Sequence, residues 1–233
     1  LQLNPGTTTI TSEATIANSE GLVLGGLEIA TDATLHASGS LFGELVNRGT
    51  LDVDGELLVV GGFTQTATGR LLIGSSTTAF ETLEVFGTAT LDGELVVSSR
   101  NGPFDGADDF HAVSNSVHTV VTFGSRSGDF ATRTQDPAGG HRFVFSTDAD
   151  SVDLLTQLFI ENTSDEIDAV PGDGIARAAS GVSSLRSAII EANAFAGHDT
   201  IVLAAGTYTL TIAGANEDAA ATGDLDITDD LTI

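Results

Sequence analysis

The stretch "GTLDVDGELLVVGG", residues 49–62, carries the pattern that decides the fold. Aliphatic and polar residues alternate in "LDV", a second aliphatic run "LLV" follows, and glycines bound each run. Successive side chains of a strand point to opposite faces, so this alternation sends one aliphatic set inward and its neighbours outward. The stretch therefore predicts short strands, buried on one face and separated by tight turns.

The same unit recurs from residue 20 to about residue 100. It is visible in "GLVLGGLEIA" (21–30), "GRLLIG" (69–74) and "LEVFGTATLDGELVV" (83–97). Gly49 and Gly69 lie 20 positions apart, the length expected for three short strands and their corners in one coil. A β-sandwich would instead show longer strands, with turn signals every 8 to 12 residues or so. We predict an all-β fold, a parallel β-solenoid or β-helix. The predicted inward pairs are Leu51 and Val53, Leu57 and Val59, Leu83 and Val85, and Leu95 and Val97.

Composition narrows the possible partners and chemistry. The 233 residues are 41% hydrophobic, which is enough for a continuous core. Asp and Glu total 33 against eight basic residues, all arginine, for a formal charge of -25. Nucleic acid and anionic membrane are poor partners because phosphate neutralisation needs clustered cations. An acidic surface suits high solubility, a saline habitat or a setting rich in divalent cations. Cysteine is absent, which excludes disulfides and thiolate chemistry, and no apolar run is long enough for a membrane-spanning helix.

The pattern changes twice along the chain. Residues 101–160 hold seven of the twelve phenylalanines, and "VVTF" (120–123) and "RFVF" (142–145) are strand candidates. Residues 161–182 are rich in acid, Gly and Ala and contain Pro171. We predict a β-solenoid repeat domain over 1–160, an acidic linker or loop over 161–182, and a second β-helix that starts at 183 and runs to 233.

One short amphipathic helix is predicted at the start of that second segment, over residues 183–197. Its apolar residues fall at i, i+3, i+4 and i+7 on one stripe: Leu185, Ala188, Ile189 and Ala192. Ser183 or Ser184 is the expected N-terminal cap, and Gly197 the expected stop. Strands are predicted in "DTIVL" (199–203) and "TYTLTI" (207–212). We expect the helix to cover the raw end of the solenoid, where an unpaired strand edge would recruit another chain.

These residues resemble a known family, the bacterial surface and secreted proteins whose β-helix is opened by a Cys-Ser-Leu-Arg-Glu-Ala-Ile motif, the CSLREA domain. The resemblance runs from Ser183 to about Ile233, through "SLRSAIIEANA", "DTIVLAAGTYTL" and "GDLDITDDLTI". Ser183 stands in place of the motif's cysteine and Ser187 in place of its glutamate, which implies no disulfide at the cap and the loss of a possible contact at the helix start. The family implies a large extracellular protein, often adhesive or matrix-forming, but it does not imply an activity.

The first 160 residues are similar to autotransporter passenger repeats. The likeness is carried by "NRGTLDVDGELLVVGGFTQTATGRLLIG" (47–74) and by the 83–97 unit. It implies the same kind of secreted or cell-surface β-solenoid.

Candidate catalytic groups are sparse in the sequence. The paired acids Asp108 with Asp109 and Asp148 with Asp150 lie in loop-like segments, where acids are common without a catalytic role. The histidines show no metal-ligand spacing and are interpreted as loop or surface residues: His36, His111, His118, His141 and His198. No motif for a nucleophilic serine, a phosphate loop or a dinucleotide appears. We predict no catalytic residues and no organic cofactor.

The densest acidic constellation is "NEDAAATGDLDITDD", residues 216–230. Oxygen ligands in this number suit Ca²⁺, and the calcium candidates are Asp224, Asp226 and Asp229. Strand alternation would place Asp224 and Asp226 on one face and turn Leu225 and Ile227 to the core. An acidic face exposed to solvent is the alternative that we favour.

The sequence therefore predicts a structural segment of a large bacterial protein, secreted or on the cell surface, such as an adhesin, stalk or fibre component. Its expected partners are further coils, either of the same longer chain or of copies stacked end to end; a glycan is a further candidate. Both ends resemble cuts through a longer β chain. The alternative is a carbohydrate-active β-helix enzyme, a polysaccharide lyase or hydrolase. With one tyrosine and no tryptophan, the chain offers few platforms on which a sugar could stack.

Overall fold

The computed structural model of the chain describes residues 6–75, 79–99, 117–135, 141–160, 162–194 and 197–233. These residues form mostly strands, with one helix, so the predicted all-β character is confirmed. Asp108, Asp109 and His111 lie outside the described residues. The described part of the chain contains no helix that is both long and apolar enough to cross a membrane.

The described elements are fourteen strands and one helix. In chain order they are β1 (Thr7–Ile10), β2 (Ala14–Ile29), β3 (Thr34–Asn47), β4 (Thr50–Val60), β5 (Phe63–Gln65), β6 (Arg70–Ser75), β7 (Thr82–Leu91), β8 (Glu94–Ser99), β9 (Val117–Gly128), β10 (Thr132–Gln135), β11 (His141–Thr147), β12 (Ser151–Ile160), α1 (Leu185–Ala194), β13 (His198–Leu203) and β14 (Asp230–Thr232). β9 contains "VVTF" and β11 contains "RFVF", which confirms both as strands.

The chain forms two compact units. The first comprises the described parts of Leu1–Arg100, His118–Asp136 and Phe145–Leu154. The second comprises the described parts of Asn101–Val117, Pro137–Val144 and Leu155–Ile233.

Strands of the first unit stack in three parallel ladders. Ladder 1 joins the beginnings of β2, β3 and β4 to β6, β8 and β10. Ladder 2 joins the middle of β3 to the end of β4 and the beginnings of β7 and β9. Ladder 3 joins β1 to the ends of β2 and β3, then to β5 and the ends of β7 and β9. Within each ladder, a segment of chain therefore pairs with the segment that next enters the same ladder along the sequence.

The core of the first unit is built from like residues in register. Leu35 pairs with Leu51, Leu51 with Leu71 and Leu71 with Leu95, and each is 0% exposed. The polar neighbours lie on the other side of the strands, as the two-residue period requires. All the inward residues predicted for the 49–97 region are buried, which confirms that assignment.

Four of these strands close a circuit. β3 pairs with β4, β4 with β7, β7 with β5, and β5 with β3, every pair being parallel. The circuit arises because β3 contributes to all three ladders, while β4 and β7 each contribute to two. Register shifts between Ala37 and Gly39 of β3 and between Val85 and Thr88 of β7 mark where one ladder ends and the next begins.

Glycines line one corner between ladders 2 and 3, where backbone segments approach closely. A Cβ on Gly61 would lie 2.1 Å from the carbonyl oxygen of Gly43, and one on Gly87 would lie 2.2 Å from that of Gly61. Each clash would be with backbone, which cannot rotate away. Only glycine therefore fits at this corner without a shift of the stacked chain.

We expect Gly87→Ala to destabilise the first unit by about 1 to 3 kcal/mol, because the new methyl group overpacks the corner. Urea unfolding at pH 7 measures the change. Gly6→Ala is the control, since a Cβ there meets nothing within 4 Å. Equal midpoints for the two variants would contradict the close approach.

Two buried amides join successive turns of chain in the first unit. Asn47 Nδ2 donates to Gln65 Oε1 at 3.0 Å and to the Arg70 carbonyl at 2.9 Å. Gln65 Nε2 in turn donates to the carbonyls of Asp92 and Glu94, both at 3.0 Å. These side chains therefore bond successive turns of chain to one another through backbone carbonyls.

The second unit packs α1 against β12 and β13. Leu158 of β12 pairs in parallel with Ile201 of β13, and His198 of β13 pairs with Asp230 of β14. Ala188, Ile189, Ile190 and other apolar residues form its core: Leu158, Ile160, Ala176, Ile201 and Ala220. Of the predicted helix stripe, Ala188, Ile189 and Ala192 are buried and Leu185 is partly buried.

Of the two strands predicted after the helix, the one over 199–203 is confirmed and the one over 207–212 is wrong. "DTIVL" lies in β13, but residues 207–212 are not a strand, because the backbone N–H groups of Thr211 and Ile212 donate to the carboxylate of Asp165 instead. Near the chain end only Asp230–Thr232 forms a strand. Ile227 is 50% exposed and does not face the core, whereas Leu225 packs partly against it.

Candidate functional site

The start of α1 is fixed by two serines. Ser187 N–H donates to Ser184 Oγ at 3.1 Å, and Ser184 N–H donates to Ser187 Oγ at 2.8 Å. This reciprocal pair has the geometry of a capping box, with serine in the position that glutamate or glutamine usually takes. Of the two predicted caps, Ser183 and Ser184, it is Ser184 that caps α1. We expected serine at position 187 to lose a contact at the helix start, and this is wrong. The buried Ser187 hydroxyl accepts the Ser184 N–H, the group that a glutamate at this position would accept.

We expect Ser184→Ala to destabilise the second unit by about 1 kcal/mol, since it removes the acceptor for the Ser187 N–H. Thermal unfolding followed by circular dichroism measures the loss. Ser180→Ala is the matched control, because Ser180 is exposed and lies outside α1. A loss as large for Ser180→Ala would contradict the capping role.

Arg186, the second residue of α1, is the centre of the second unit. Its side chain is 0% exposed, and all five of its N–H groups have acceptors. Nε and Nη2 donate to the two carboxylate oxygens of Asp165 at 2.5 and 3.2 Å. The other three N–H groups donate to the carbonyls of Ala220, Asp224 and Gly223 at 2.6, 3.2 and 2.8 Å. One guanidinium group therefore joins three segments that are distant in sequence.

Asp165 completes this centre. Its side chain is 2% exposed. Burial opposes its ionisation, but hydrogen bonds from Arg186 and from the backbone of Ile212 and Thr211 outweigh burial and lower the pKa of Asp165 to about 2. The ion pair is therefore intact at any pH above about 4.

The loop over residues 214–224 folds around two charges. Its carbonyls point to Arg186, whereas the N–H groups of Ala219, Ala221 and Thr222 donate to the Glu217 carboxylate. These bonds, first that from Thr222, lower the pKa of Glu217. Ala220 takes a positive φ of 54° and is fully buried. The Glu217 carboxylate, part of the acidic constellation, therefore accepts hydrogen bonds from the backbone of its own loop.

A second buried acidic centre lies further along α1. Glu191 is 0% exposed and Asp168 is 6% exposed. Glu191 also accepts the N–H groups of Gly172, at 2.7 Å, and Gly174, while Asp168 Oδ1 accepts the N–H of Arg177 at 3.0 Å. Burial first, and the Asp168 carboxyl next, raise the pKa of Glu191 to about 7. Burial also raises the pKa of Asp168.

The calcium candidates Asp224, Asp226 and Asp229 each bond to different groups of the second unit. Asp229 Oδ2 accepts the N–H of Gly197 at 3.0 Å, and its Oδ1 accepts that of Asp230 at 2.8 Å. The Asp224 carbonyl accepts from Arg186, and the Asp226 carbonyl accepts from Asn193 Nδ2 at 2.8 Å. Burial, and then the charges of Asp224 and its acidic neighbours, raise the pKa of Asp226. Among the described residues, no group of three or more His, Asp or Glu side chains is placed to hold a metal ion.

The other acids and histidines are dispersed. Asp148 and Asp150 are exposed beside the turn between β11 and β12, where the carbonyl of Asp150 accepts the N–H of Phe123 at 2.8 Å. The described histidines lie on strands and not in loops. His36 Nδ1 lies 2.7 Å from Oδ2 of Asp52, its register partner in β4. The ring of His118 lies 5.1 Å from the Phe80 ring, and His198 Nδ1 lies 3.2 Å from Asp230 Oδ2. Burial lowers the pKa of His118.

A depression of about 360 Å³ lies beside the last turn of α1. Its wall is mainly apolar, formed by Ile167, Pro171, Ile190 and Ala194, and Asp218 is the one carboxyl group among its lining residues. Glycoside hydrolysis generally needs two carboxyl groups that face the same bond. The depression therefore does not present the carboxyl pair of a glycosidase.

Sequence reasoning missed the residues that organise the second unit: Arg186, Asp165, Glu191 and Asp168. One signal was available for Arg186, because the other residues of the first turn of α1, Leu185, Ser187 and Ala188, are apolar or small. The sequence offered no such signal for Asp165 and Asp168, since both lie in a segment whose composition is that of a solvated loop. Searches against protein-family models, curated proteins and solved structures gave no match to this chain.

Proposed function

We propose that this chain is a structural segment of a large bacterial β-solenoid protein, secreted or displayed at the cell surface as part of an adhesin, stalk or fibre. The observation that carries the proposal is the set of three parallel ladders in the first unit. Thr34 pairs with Thr50, Thr50 with Arg70, and Arg70 with Glu94, so the chain returns to the same ladder after 16, 20 and 24 residues. Successive returns of this length are what coils of a solenoid produce.

The repeated core supports a mechanical role. Each coil contacts mainly its neighbours, so stability accumulates along the stack and does not depend on one central core. Aliphatic side chains in register, buried amides and a glycine corner all favour one stacking register. A scaffold needs this kind of rigidity, whereas an enzyme needs in addition a cleft with converging chemical groups.

The second unit is proposed to begin a further coil stack, with α1 as its cap. Its support is the apolar face that α1 packs against β12 and β13, and the resemblance of residues 183–233 to the CSLREA domain. Arg186 and the serine pair at 184 and 187 hold this cap in place in our proposal. Calcium remains a candidate ligand of the acidic surface and is tested below.

Surface labelling tests the proposed location. Antibodies raised against the purified chain are applied to intact and to permeabilised cells of the source organism. Labelling of intact cells, removed by brief external protease, is the expected result. Labelling that requires permeabilisation would overturn the proposal.

Sedimentation of the purified chain tests what continues the stack. Among the described residues, β1 has a strand partner only in β2, and β14 only in β13, so each has one open edge. Concentration-dependent oligomers would mean that copies associate end to end, and a change on adding millimolar Ca²⁺ would assign the ion a role in that contact. A monomer under all conditions would mean that further coils come from the same polypeptide.

A further inference from the structure

A row of apolar side chains lies on the surface of the first unit, at the glycine corner between ladders 2 and 3. Phe42 is 40% exposed and Phe86 is 60% exposed, and the half-buried Val60 lies between them. Each follows a buried residue of its strand, so strand alternation turns all three outward. Phe42 and Val60 are register partners, and Val60 and Phe86 directly follow the last residues that pair β4 with β7. The three side chains therefore form one line across successive turns of chain, the aromatic row.

Phe86 is exposed by a β-bulge. β7 places two residues, Phe86 and Gly87, opposite one residue of β9, Gly124. A Cβ on Gly124 would lie 2.2 Å from the Phe86 carbonyl oxygen, so glycine lets β9 pack closely against the bulge. Bulges of this kind commonly re-aim a side chain beside a functional site. The ring is thus held outward by backbone geometry and does not depend on contacts with the core.

A row of polar side chains lies beside the aromatic row, on the ladder 3 side of the same corner. The hydroxyl oxygens of Thr88 and Ser125 lie 2.9 Å apart across β7 and β9. Gly62 lies between Thr88 and Glu44, since a Cβ there would lie 3.5 Å from the Thr88 carbonyl oxygen and 3.3 Å from Glu44 Oε1. Glu44, Thr88 and Ser125 are all exposed. The strip made of both rows therefore offers aromatic faces along one side and hydrogen-bonding groups along the other.

The geometry of the strip fits a linear ligand. Neighbouring strands lie about 4.8 Å apart, so the two ladder steps from Phe42 to Phe86 span about 10 Å along the stack. A β-1,4-linked polysaccharide is an extended chain whose flat sugar rings carry C–H groups on their faces and hydroxyl groups at their edges. The C–H faces can stack on the two phenyl rings while the hydroxyl edges bond to the polar row.

Charge narrows the class of polysaccharide. Glu44 belongs to the polar row, and Glu84 is exposed two residues before Phe86 on the same face of β7. The chain as a whole carries a formal charge of -25. Carboxylates at the strip and a negative field around it repel acidic polysaccharides. A neutral polysaccharide meets no such repulsion, and its hydroxyl groups can donate to the Glu44 carboxylate.

We propose that the strip formed by the aromatic row and the polar row binds a neutral, extended β-1,4-linked polysaccharide. Phe42 and Phe86 are the stacking platforms, which the low content of tyrosine and tryptophan did not reveal. The inference rests on the proposed surface role only for where the polysaccharide is met. Binding by the purified chain is measured separately from surface labelling, so either can fail while the other holds.

Native affinity electrophoresis of the purified chain measures the binding. The gels contain hydroxyethylcellulose, glucomannan, xylan or glycol chitin as neutral probes, and polygalacturonate as an acidic probe. We expect at least one neutral probe to retard the wild-type chain and polygalacturonate to leave its mobility unchanged. The inference is overturned if no neutral probe retards the chain, or if polygalacturonate retards it as strongly.

Phe42→Ser and Phe86→Ser locate the site. Each removes one stacking face, so we expect each to weaken binding of the retarding probe by about two- to tenfold. Phe86→Tyr keeps an aromatic face and should bind as the wild type does. Leu210→Ser is the control, because Leu210 is 44% exposed and lies in the second unit, away from the strip. Its binding should equal that of the wild type.

Two results with the variants would contradict the site. One is unchanged binding in both serine variants; the other is a wild-type oligomer that dissociates in Phe86→Ser while no probe binds, which would assign the strip to contact between copies. Should a serine variant not fold, amide NMR of the wild-type chain with a hexasaccharide of the retarding probe replaces it. Shifts at the Gly87 and Ser125 amides are expected, and unshifted signals at both would overturn the inference.

Discussion

Replacing Arg186 by methionine is expected to cost about 3 to 5 kcal/mol of stability in the second unit. Methionine keeps an unbranched apolar stem but removes every N–H donor. The Asp165 carboxylate, 2% exposed, would then be buried without its counterion, and the carbonyls of Ala220, Gly223 and Asp224 would lose their donors. Urea unfolding at pH 7, monitored by amide exchange in the second unit, measures the loss.

Arg70→Met is the matched control for this change. Arg70 also pairs with a carboxylate, Glu94, with its Nε 2.8 Å from Oε2, but the two side chains are 50% and 27% exposed. Exposed ion pairs contribute little because water already solvates both charges, so we expect a cost below about 1 kcal/mol. Similar costs for Arg70→Met and Arg186→Met would show that the buried centre does not hold the unit together.

The double variant Arg186→Met with Asp165→Asn separates two contributions to the lost stability, the unpaired charge of Asp165 and the three carbonyls without donors. Neutralising Asp165 removes the uncompensated buried charge, so the double variant should be more stable than Arg186→Met alone. It would not regain the wild-type stability, since the three carbonyls still lack donors. A double variant no more stable than Arg186→Met would mean that the carbonyl contacts, and not the ion pair, dominate.

Leu71→Ala is expected to cost about 2 to 5 kcal/mol in the first unit, because Leu71 is 0% exposed and lies in register between Leu51 and Leu95. Its neighbour Leu72 is only half-buried, on the opposite face of β6. Leu72→Ala removes the same atoms from the same strand and should cost about 1 kcal/mol or less. Chemical unfolding of both variants measures the difference, and equal costs would contradict the inward assignment of Leu71.

The strands of the first unit could be predicted because their signal is local. In β4 and β7 the two-residue period of aliphatic residues decides which side chains are buried, and Gly49 and Gly69 each directly precede a strand of ladder 1. Thr50 and Arg70, the residues that follow these glycines, are register partners in ladder 1. Local pattern and tertiary pairing agree there, so the sequence predicts both.

The second unit could be predicted only in part, because distant side chains take over backbone bonding. "TYTLTI" has the alternation of a strand, yet Asp165, which bonds to Thr211 from 46 positions away, takes the N–H groups that a strand partner would use. Nothing in the local pattern reveals that competition. Asp168 and Glu191 escaped prediction for a similar reason, since they lie 23 positions apart and burial changes their chemistry.

A disulfide placed across two stacked strands tests the central claim, that successive turns of chain stack in parallel register. Thr88 and Ser125 are register partners in ladder 3, with their hydroxyl oxygens 2.9 Å apart, and the chain has no cysteine of its own. Neighbouring strands lie about 4.8 Å apart, within the Cα separation that a disulfide needs. We expect Thr88→Cys with Ser125→Cys to oxidise rapidly, whereas Thr88→Cys with Ser127→Cys, shifted by two residues to a separation of about 8 Å, should stay reduced. Oxidation of the shifted pair, or of neither pair, would contradict the stacked register.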